Sequence, residues 1–589
     1  MAKWNVHRND SSQIKAIMQQ NSHSDSAGVE KNQQHGERDV TEASGESSSS
    51  STAGAVLKRR EEKTSEPVEA LAEESTSSYC SMSSLKRLPQ CHVKLQRLSY
   101  SRTHIVLIDV SVFNSRGALM PQKGRDMWHK NFVKMPCSSE NITMVNTGFM
   151  KKSTKVRRWD LISGHLGALA KKAEVTADEV AQAVLRYNPK YSGQWSFDAL
   201  YMFVKRVPDV ENDFSALFPK MAALALMLPD YVMKAIPLLQ AGQTASITLS
   251  QVQISCLLAN AFFCTFPHRN TSSPNAEYHN YPTINFNSLF GNWSERKKEK
   301  LRAIMHYFRV VTDEATKPRG LVTFERRFLR DTDRPNWRSC KEEMPKLHVT
   351  SSGTIETKGT GMLQVDFACN LIGGGVLSSG LVQEEILFLM NPELIVSRLF
   401  TEKLEDTECL LVTGSQQFSC YAGFGDSFEW TGPHQDRLQR DAWARLQRQI
   451  LAIDALHFKQ RRDQYNMAMI TRELNKAYCG FKKDGPDEPD VATGQWGCGV
   501  FKGDPQLKAV IQLMAAAVSG RGLCFFTFGD EKLKASLQQI HHLLVTKGIT
   551  VGVLYRHLQD YCAVQMCDHT HVDLFEFIAN TFRRPGSFP

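Results

Sequence analysis

The chain has 589 residues, and single hydrophobic cores stop growing at about 250 to 300 residues. It contains 42% hydrophobic and 9% aromatic residues, which is ample material for a buried core. Its formal net charge of +9 favours a polyanionic partner over a polycationic one. These values predict a soluble globular protein of two folded units with additional unstructured sequence.

A membrane span and a secreted disulfide framework are both disfavoured. The most apolar stretch, residues 221–239, is interrupted by Pro229, Asp230 and Lys234, and no run reaches the ~18 uncharged apolar residues that a span needs. The 14 cysteines contain no CxxC pair, and no signal peptide opens the chain. We therefore expect reduced thiols and an intracellular location, nuclear or cytoplasmic.

Residues 1–90 are predicted to be a disordered regulatory arm. They are rich in Ser, Glu, Lys and Gln and contain the segment ASGESSSSSTAG. Such a composition buries too little apolar surface to offset the entropy lost on ordering. The basic cluster of Lys58, Arg59 and Arg60 is a candidate nuclear address, although ordinary solvated charge is the simpler interpretation.

Residues 91–340 are predicted to form a mainly helical accessory domain. Order begins with the strand-like run THIVLIDV, and amphipathic helical patterns follow it. Thr176 with Glu179, and Ser250 with Gln253, have the spacing of capping boxes that open helices. No catalytic cluster stands out in these helices, so we expect them to act as a scaffold.

Residues 341–589 are predicted to be an α/β domain. Short apolar strands alternate with helical stretches, which indicates a largely parallel or mixed sheet. In such sheets ligands bind beyond the carboxyl ends of the strands. The strands are predicted in GMLQVDFA, CLLVTG, ILAIDAL and LCFFTFGD.

The first glycine-rich segment follows the strand GMLQVDFA. Side chains alternate between the two faces of a strand, so Asp366 points away from Leu363, Val365 and Phe367. Its position in GMLQVDFA places it near the end of the strand. Gly373, Gly374 and Gly375 then permit positive φ angles and a close approach of backbone to ligand. A helix predicted to start near Ser379 would present free N–H groups to a phosphate or diphosphate. The alternatives are a structural carboxylate and a simple turn.

The second glycine-rich segment is ATGQWGCGVFKGDPQLKAVIQL. Gly494, Gly497 and Gly499 form a loop, and Asp504 with Pro505 fits the N-cap and first position of a helix. Two glycine loops in one α/β domain suggest two walls around an anionic ligand. Their spacing fits neither GxGxxG nor Walker A, which disfavours nicotinamide cofactors and nucleotide hydrolysis.

Glu384 and Glu385 follow the triple glycine and are the candidate acid–base pair. Apolar neighbours such as Leu381 and Ile386 indicate a confined environment for at least one of them. A desolvated carboxyl beside a second carboxylate has a raised pKa, as a general acid requires. On a phosphate-bearing ligand this chemistry points to glycoside cleavage through an oxocarbenium-like ribosyl centre. Exposed carboxylates that interact with the helix dipole are the alternative.

No cofactor or metal ion is expected. The cluster of Cys562, Cys567, His569 and His571 has a C-x4-C spacing that is unlike common zinc sites. Cysteine–histidine catalysis is not favoured either, because no local arrangement marks a pair and buried cysteines act as small apolar groups.

The segment GGGVLSSGLVQEE resembles the GGG-x(6–8)-QEE signature of the poly(ADP-ribose) glycohydrolase family, in its vertebrate-type form. The resemblance covers roughly residues 95 to 575. Further similar segments are SCLLANAFFCTFP, GTIETKGTGMLQVDFA, NPELIVSRLF, AIDALHF, RELNKAYCGF, ATGQWGCGVF and FTFGD.

The resemblance implies an α/β fold: a macrodomain-like mixed sheet flanked by helices, which binds the ADP-ribose end of the polymer. Glu385 would protonate the departing ribose oxygen and then deprotonate water. Glu384 would hold ribose hydroxyls, and Asp366 would complete the catalytic set.

The resemblance also implies substrate-binding residues in several segments. Ile355 and Glu356 would meet the adenine, and the loop at residues 495–500 would wrap the diphosphate. The implied set is Ile355, Glu356, Cys369, Gly373, Gly374, Gly375, Gln383, Tyr421, Phe424, Gln495, Trp496, Gly497, Cys498, Gly499, Val500 and Phe528.

Three positions depart from the family pattern: Cys369 and Gln495 each replace an Asn, and Phe424 replaces a Tyr. Each loss of a buried polar partner costs about 1 to 3 kcal/mol. The leading hypothesis is an exo- and endo-acting poly(ADP-ribose) glycohydrolase that releases ADP-ribose. The alternative is a degenerate paralogue that binds the polymer with weak or no hydrolysis.

The expected partners follow from the same resemblance. They are the poly(ADP-ribose) polymer and ADP-ribosylated proteins, and direct binding to DNA, RNA or membranes is not expected. The sequence gives no indication of the oligomeric state.

Overall fold

The predicted disordered arm and its basic cluster lie almost entirely outside the residues that the structure describes. Among the described helices, none combines the length and the apolar character that a membrane crossing needs. The computed structural model describes residues 80–91, 95–147, 152–207, 213–271, 273–567 and 572–583.

The described strands are numbered in chain order. They are β1 (His104–Val106), β2 (Ile142–Thr147), β3 (Lys152–Arg157), β4 (Ala245–Ser250), β5 (Leu321–Phe328), β6 (Leu347–Thr350), β7 (Leu363–Ala368), β8 (Glu408–Thr413), β9 (Ser419–Ala422), β10 (Glu429–Pro433), β11 (Gln449–Asp454), β12 (Val491–Gly494) and β13 (Leu523–Phe526).

The described α-helices alternate with these strands and dominate the first half of the chain. They span Val110–Arg116, Arg158–Ala170, Ala177–Arg186, Asp198–Arg206, Phe214–Leu226, Leu228–Tyr231, Gln251–Phe262, Asn287–Phe290, Glu295–Val311, Ile355–Lys358, Gln383–Met390, Ser397–Phe400, Met467–Phe481, Pro505–Val518, Glu531–Thr546, Val551–Cys567 and Leu574–Arg583.

Nine strands form one mixed sheet in the order β1-β4-β5-β8-β11-β7-β12-β13-β6. The five strands from β11 to β6 run parallel, whereas β5 and β8 pair antiparallel with their neighbours. A mixed sheet flanked by helices is therefore confirmed. Strands β1, β4 and β5 come from the region predicted to be mainly helical, so the sheet continues across the boundary predicted at residue 340.

The two faces of the sheet are covered by separate apolar clusters. Leu363 and Val365 of β7 pack with the helices Met467–Phe481 and Pro505–Val518. On the opposite face, Ala452 of β11 packs with the helices from the first half of the chain. Asp366 is in register with Ala452, so it points away from Leu363 and Val365 as the strand alternation predicts.

The predicted helix starts within the first half are confirmed. Thr176 accepts a hydrogen bond from the N–H of Glu179 at 3.2 Å, and its own N–H donates to the Glu179 carboxylate at 2.8 Å. Ser250 and Gln253 form the second capping box at the start of the helix Gln251–Phe262. Local side-chain to backbone bonds fix these helix starts independently of tertiary packing.

The end of the predicted arm packs against the sheet. Leu85 is buried in a small cluster with Ile355 and Met362. The N–H of Lys86 donates to Asp490 at 2.8 Å, and the N–H of Leu88 donates to the carbonyl of Gly361 at 2.8 Å. Residues 80–91, the end of the arm predicted at residues 1–90, therefore have an apolar anchor on the sheet.

A buried ion pair joins β5 to β8. The Arg326 guanidinium contacts the Glu408 carboxylate, and both side chains are fully buried. Arg326 also donates to the carbonyls of Leu239 at 3.1 Å and Lys403 at 2.9 Å, and Glu408 accepts from the N–H of Gly242 at 2.6 Å. The pair connects loops from both halves of the chain around the sheet.

Glu408→Gln is expected to lower the free energy of unfolding by about 3 to 5 kcal/mol, because it leaves the Arg326 charge buried without compensation. Urea unfolding followed by circular dichroism measures the loss. Glu405→Gln removes a charge from an exposed side chain three residues earlier and is expected to change stability by less than about 0.5 kcal/mol. Equal stability of the two variants would contradict the role of the ion pair.

Candidate active site

The carboxyl ends of four neighbouring parallel strands meet at one edge of the sheet. The triple glycine follows β7, and the second glycine loop follows β12. Phe528 lies just beyond β13, and Ile355 and Glu356 lie just beyond β6. Segments that are far apart in the sequence are thus brought to the edge where α/β sheets bind ligands.

Glu384 lies in the first turn of the helix Gln383–Met390 and is 1% exposed. Its carboxylate accepts hydrogen bonds from the N–H of Cys369 at 2.8 Å and the N–H of Gly373 at 2.6 Å. Both donors belong to the backbone that leaves β7. The loop therefore fixes the orientation of the carboxyl.

Glu385 is 4% exposed and is held in the same way. Its two oxygens accept from the N–H groups of Gly375 and Val382, each at 2.8 Å. Gly374 has φ +43°, and a Cβ atom there would contact a Glu385 oxygen and lie 2.9 Å from a Glu384 oxygen. A side chain at position 374 is excluded because the backbone passes directly against both carboxyls.

Two predictions about this segment are wrong. The helix begins at Gln383 and not near Ser379, because the residues after the triple glycine form turns and Val382 is extended. The N–H groups of Gly373 and Gly375 bind glutamate carboxylates and are not free to cradle a phosphate. The glycines bring backbone to the acids instead of to an anionic ligand.

Asp366 is fully buried below the two glutamates. Neither of its carboxyl oxygens has a hydrogen-bond partner among the described residues. Burial, and then the charge of Glu385, raise the pKa of Asp366 well above its ordinary value. An ionised carboxylate without a donor is costly in such a place, so the surroundings of Asp366 favour its protonated form.

Glu384 shares this environment. Burial raises the pKa of Glu384 well above its ordinary value, and the charges of Asp366 and Glu385 add to the effect. The N–H bonds from Cys369 and Gly373 act in the opposite direction without cancelling it. Asp366 and Glu384 therefore favour their protonated forms to a higher pH than isolated carboxyl groups do.

Gln383 and Cys369 border the carboxyl groups. The Gln383 amide accepts from the N–H of Phe367 at 2.8 Å and donates to the carbonyl of Val365 at 3.3 Å, which ties the helix start to β7. The Cys369 sulfur lies 3.2 Å from the position of a Cβ on Gly374. Burial and the neighbouring glutamates raise the pKa of the Cys369 thiol well above its ordinary value, so it stays protonated.

One wall of the site combines the loop after β6 with the hairpin of β9 and β10. The Tyr421 hydroxyl donates to the Glu356 carboxylate, which joins the two segments. Ile355 is buried, and its carbonyl accepts from the Gln364 amide at 3.0 Å. Phe424 is 55% exposed at the tip of the hairpin.

The opposite wall is the loop after β12, and Trp496 anchors it. Trp496 is fully buried and donates to the carbonyl of Ile453 at 2.9 Å, while the Lys508 ammonium lies 4.0 Å from its ring centre. The Gln495 amide donates to the carbonyl of Thr527 at 2.9 Å. Trp496 therefore supports the loop from the core side.

The rim of this loop faces solvent. Gly497 has φ +74°, Gly499 and Val500 are exposed, and Cys498 is partly buried. Among the described residues, the N–H groups of Gly499 and Val500 donate to no other group. N–H groups without a partner among the described residues therefore lie in the loop at residues 495–500, which the family resemblance assigns to the diphosphate, and not at a helix start near Ser379.

Phe528 closes the edge between the two walls. It has φ +50° and is 45% exposed. Its ring centre lies 6.4 Å from that of Phe367, edge to face, and 6.4 Å from that of Phe526, to which it is stacked. The ring is fixed from below and presents its outer part to the site.

Two buried cations that the sequence did not single out hold the glycine loop from its outer side. The Lys300 ammonium donates to the carbonyls of Gly375 at 3.0 Å and Ser378 at 2.8 Å. Arg398 donates to the carbonyls of Ile372 at 2.6 Å and Gly374 at 3.1 Å. Arg398 belongs to the segment NPELIVSRLF, whereas Lys300 lies in a charge run that gave no signal.

No metal site is found where the structure can be described: no group of three or more His, Cys, Asp or Glu side chains converges there. Cys562 contacts the Met467 sulfur at 3.8 Å. His569, His571 and the Cys567 side chain lie outside the described residues.

The mixed sheet, with ligand loops at its carboxyl edge and three confined carboxyl groups, defines a macrodomain-type α/β protein with an acid–base site. Residues 334–535 match the family model "Poly (ADP-ribose) glycohydrolase (PARG), Macro domain fold", and residues 208–326 match the corresponding "helical domain".

Two relatives extend the match over most of the chain. Poly(ADP-ribose) glycohydrolase 1 of Arabidopsis thaliana is 31% identical over 467 residues, which cover 64% of this chain and 84% of the relative. Poly(ADP-ribose) glycohydrolase 1 of Caenorhabditis elegans is 32% identical over 408 residues, which cover 65% of this chain and 49% of the relative. The chain belongs to the poly(ADP-ribose) glycohydrolase family.

Asp366→Asn is expected to change how stability depends on pH. From about pH 4 up to its raised folded pKa, wild-type Asp366 keeps a proton that the unfolded chain releases. Wild-type stability therefore declines with rising pH by up to about 1.4 kcal/mol per pH unit from this group. Asparagine does not titrate, so the unfolding free energy of Asp366→Asn minus that of wild type grows with pH.

Asp436→Asn is the control with the opposite sign. Although burial favours its neutral form, Arg448 and two N–H donors hold the pKa of Asp436 below its ordinary value. Its contribution is present at neutral pH and is lost as the pH falls through the folded pKa. Urea unfolding at a series of pH values measures both differences, and a pH-independent difference for Asp366→Asn contradicts the buried proton.

Proposed function

We propose that the protein hydrolyses the ribose–ribose O-glycosidic bonds of poly(ADP-ribose) and releases ADP-ribose. The observation that carries this proposal is the cluster of Asp366, Glu384 and Glu385. All three carboxyl groups are buried, backbone N–H groups orient the two glutamates, and burial raises the pKa of Asp366 and of Glu384. The names of the relatives point to the same activity. The chemistry uses carboxyl groups alone, as in other glycosidases.

Glu385 is the proposed acid and base. Its protonated carboxyl transfers a proton to the oxygen that links the departing ribose, and the C–O bond breaks through an oxocarbenium-like transition state. The Glu385 carboxylate then removes a proton from the attacking water, whose oxygen forms the new bond to the ribosyl carbon. Bonds from the N–H groups of Gly375 and Val382 keep this carboxyl in one orientation through both steps.

Glu384 and Asp366 support this chemistry in different ways. We assign Glu384 to the ribose hydroxyls, because its carboxyl is held at the same loop beside Glu385. We assign Asp366 to keeping the cluster protonated, because a neutral acid adds no second full charge beneath Glu385. The arrangement limits the negative charge that would otherwise repel a diphosphate.

The two walls are assigned to the two ends of ADP-ribose. The joined pair of Tyr421 and Glu356 is placed at the adenine side, where Ile355 provides apolar backing. The diphosphate is placed at the loop after β12, because the N–H groups of Gly499 and Val500 have no partner among the described residues.

The binding-only alternative is not favoured. That alternative assumes that Cys369, Phe424 and Gln495 disable the site. The contacts that orient Glu384 and Glu385 come from backbone N–H groups, so they do not depend on those side chains. The longer side chain at Gln495 has a partner of its own in the carbonyl of Thr527.

We further propose that the substrates include ADP-ribosylated proteins and that the protein acts in the nucleus or cytoplasm. Every cysteine side chain in the described part of the chain is a free thiol, which suits a reducing compartment. DNA and RNA are not proposed as ligands.

Glu385→Gln is expected to lower ADP-ribose release from labelled polymer by about 10²- to 10⁴-fold, the contribution of general acid–base catalysis. Glutamine keeps the size of the side chain, but only its carbonyl oxygen can accept a hydrogen bond, so one of the N–H bonds from Gly375 and Val382 is lost. Calorimetry of ADP-ribose binding shows whether that loss also disturbs the pocket. Glu405→Gln is the surface control. Polymer retained without release by the wild type, and no difference between wild type and Glu385→Gln, would refute hydrolysis.

Tyr421→Phe is expected to raise KM for polymer about tenfold with kcat nearly unchanged, because the loss of one hydrogen bond to a charged partner frees Glu356 and loosens the wall. Tyr555→Phe is a matched control, since the Tyr555 hydroxyl bonds Thr471 at 2.9 Å in another part of the molecule. Steady-state kinetics of both variants test the assignment. A kcat defect with normal KM would place Tyr421 in the chemical step instead.

A further inference from the structure

We infer that Lys300 is a positioning residue, which sets the orientation of the Glu385 carboxyl by fixing the backbone of residues 375–380. The inference rests on the proposed function, since it concerns the proposed acid. Lys300 lies on the helix Glu295–Val311, outside the segments that border the site. Its ammonium contacts carbonyls of the glycine loop.

The Lys300 ammonium is the point at which the loop folds back on itself. Nζ donates to the carbonyls of Gly375 at 3.0 Å, Val376 at 3.2 Å and Ser378 at 2.8 Å, and it also contacts the carbonyl of Gly380. Four carbonyl oxygens that span six residues of chain thus converge on one cation. Without that cation, four carbonyl dipoles would point at one another in a buried space.

The same peptide segment reaches Glu385 on its other side. The carbonyl of Gly375 accepts a hydrogen bond from Lys300, and the N–H of the same residue donates to Glu385 at 2.8 Å. At Gly380, whose carbonyl also contacts Lys300, a Cβ atom would lie 2.6 Å from a Glu385 oxygen. A shift of either glycine therefore moves a direct contact of the carboxyl.

The charge state of Lys300 decides whether it can hold all four carbonyls. An ammonium has three N–H donors and no lone pair, whereas a neutral amine would direct its lone pair at a carbonyl oxygen. Burial lowers the pKa of Lys300 to about 7. The charged groups around it are Glu385, which favours the ammonium, and Lys297, Arg296 and Arg398, which disfavour it.

Lys297 provides a natural comparison one turn earlier on the same helix. It is also buried, and its ammonium donates to the carbonyl of Ser288 at 2.9 Å and contacts that of Gly291. Burial lowers the pKa of Lys297 to about 8. Its carbonyl partners do not belong to the glycine loop, so the two lysines differ in which backbone they hold.

The test compares Lys300→Met and Lys297→Met with wild type in the full chain. Both substitutions leave an unbranched side chain that is one atom shorter and remove a buried ammonium, so similar losses of thermal stability are expected. For Lys300→Met, kcat for ADP-ribose release is expected to fall about 100-fold at acidic to neutral pH, the effect of a misplaced catalytic group. For Lys297→Met, kcat stays within about threefold of wild type.

The pH profile separates positioning from a general structural effect. Because the wild-type ammonium is lost as the pH rises through about 7, the ratio of wild-type kcat to Lys300→Met kcat is expected to shrink at alkaline pH. The corresponding ratio for Lys297→Met is expected to stay constant.

The outcomes are distinct. An inactive wild type refutes the proposed function, whereas an active wild type with equal effects of the two lysine variants, or with a pH-independent ratio for Lys300→Met, overturns the role of Lys300. If Lys300→Met does not fold, Lys300→Arg replaces it, because a guanidinium stays charged throughout. The wild type is then expected to lose activity relative to Lys300→Arg as the pH rises, and a constant ratio overturns the inference.

Discussion

The site depends on keeping three carboxyl groups together in a space that excludes water. Carboxylates that are buried side by side repel each other. The cluster is therefore stable only if some carboxyl groups keep their protons and the ionised oxygens have hydrogen-bond donors. Four backbone N–H groups between residues 369 and 382 supply these donors, and two of them belong to the triple glycine. The peptide groups that turn the N–H groups of Gly373 and Gly375 to the glutamates turn the carbonyls of Ile372 and Gly374 to Arg398. Lys300 binds the next carbonyl, that of Gly375. The loop thus links the buried cations to the buried acids. Its carbonyls bind Lys300 and Arg398, and its N–H groups bind the two glutamates.

The helix Glu295–Val311 connects this loop to the opposite wall. Beyond the Lys300 contacts, Glu299 accepts from the N–H of Trp430 at 2.9 Å, and the His306 ring is 3.1 Å from the carbonyl of Phe418. Trp430 and Phe418 lie in and beside the hairpin that carries Tyr421. The helix Glu295–Val311 carries none of the proposed catalytic residues. Because it contacts both the glycine loop and the hairpin, it sets the distance between the acids and the wall that contains Tyr421.

Sequence reasoning succeeded where the determining contacts are local or periodic. The capping boxes, the Asp504 helix start and the position of Asp366 in β7 each depend on a few neighbouring residues, and the structure has them as predicted. It failed where distant chain decides the outcome. Ser379 does not begin a helix because a lysine about 80 residues upstream binds the carbonyls around it. In the sequence, Lys300 is one of several basic residues in a charged run, and no motif distinguishes it.

The departures from the family pattern fall at positions where side-chain identity matters least for orienting the acids. Cys369 serves Glu384 through its backbone N–H, which any residue other than proline supplies. The Gln495 amide N–H donates to the carbonyl of Thr527, so the longer side chain has a partner of its own. Phe424 is exposed, and a hydroxyl there would meet water instead of a buried partner. Because backbone holds the acids, side chains around them can change while the geometry of the acid pair persists.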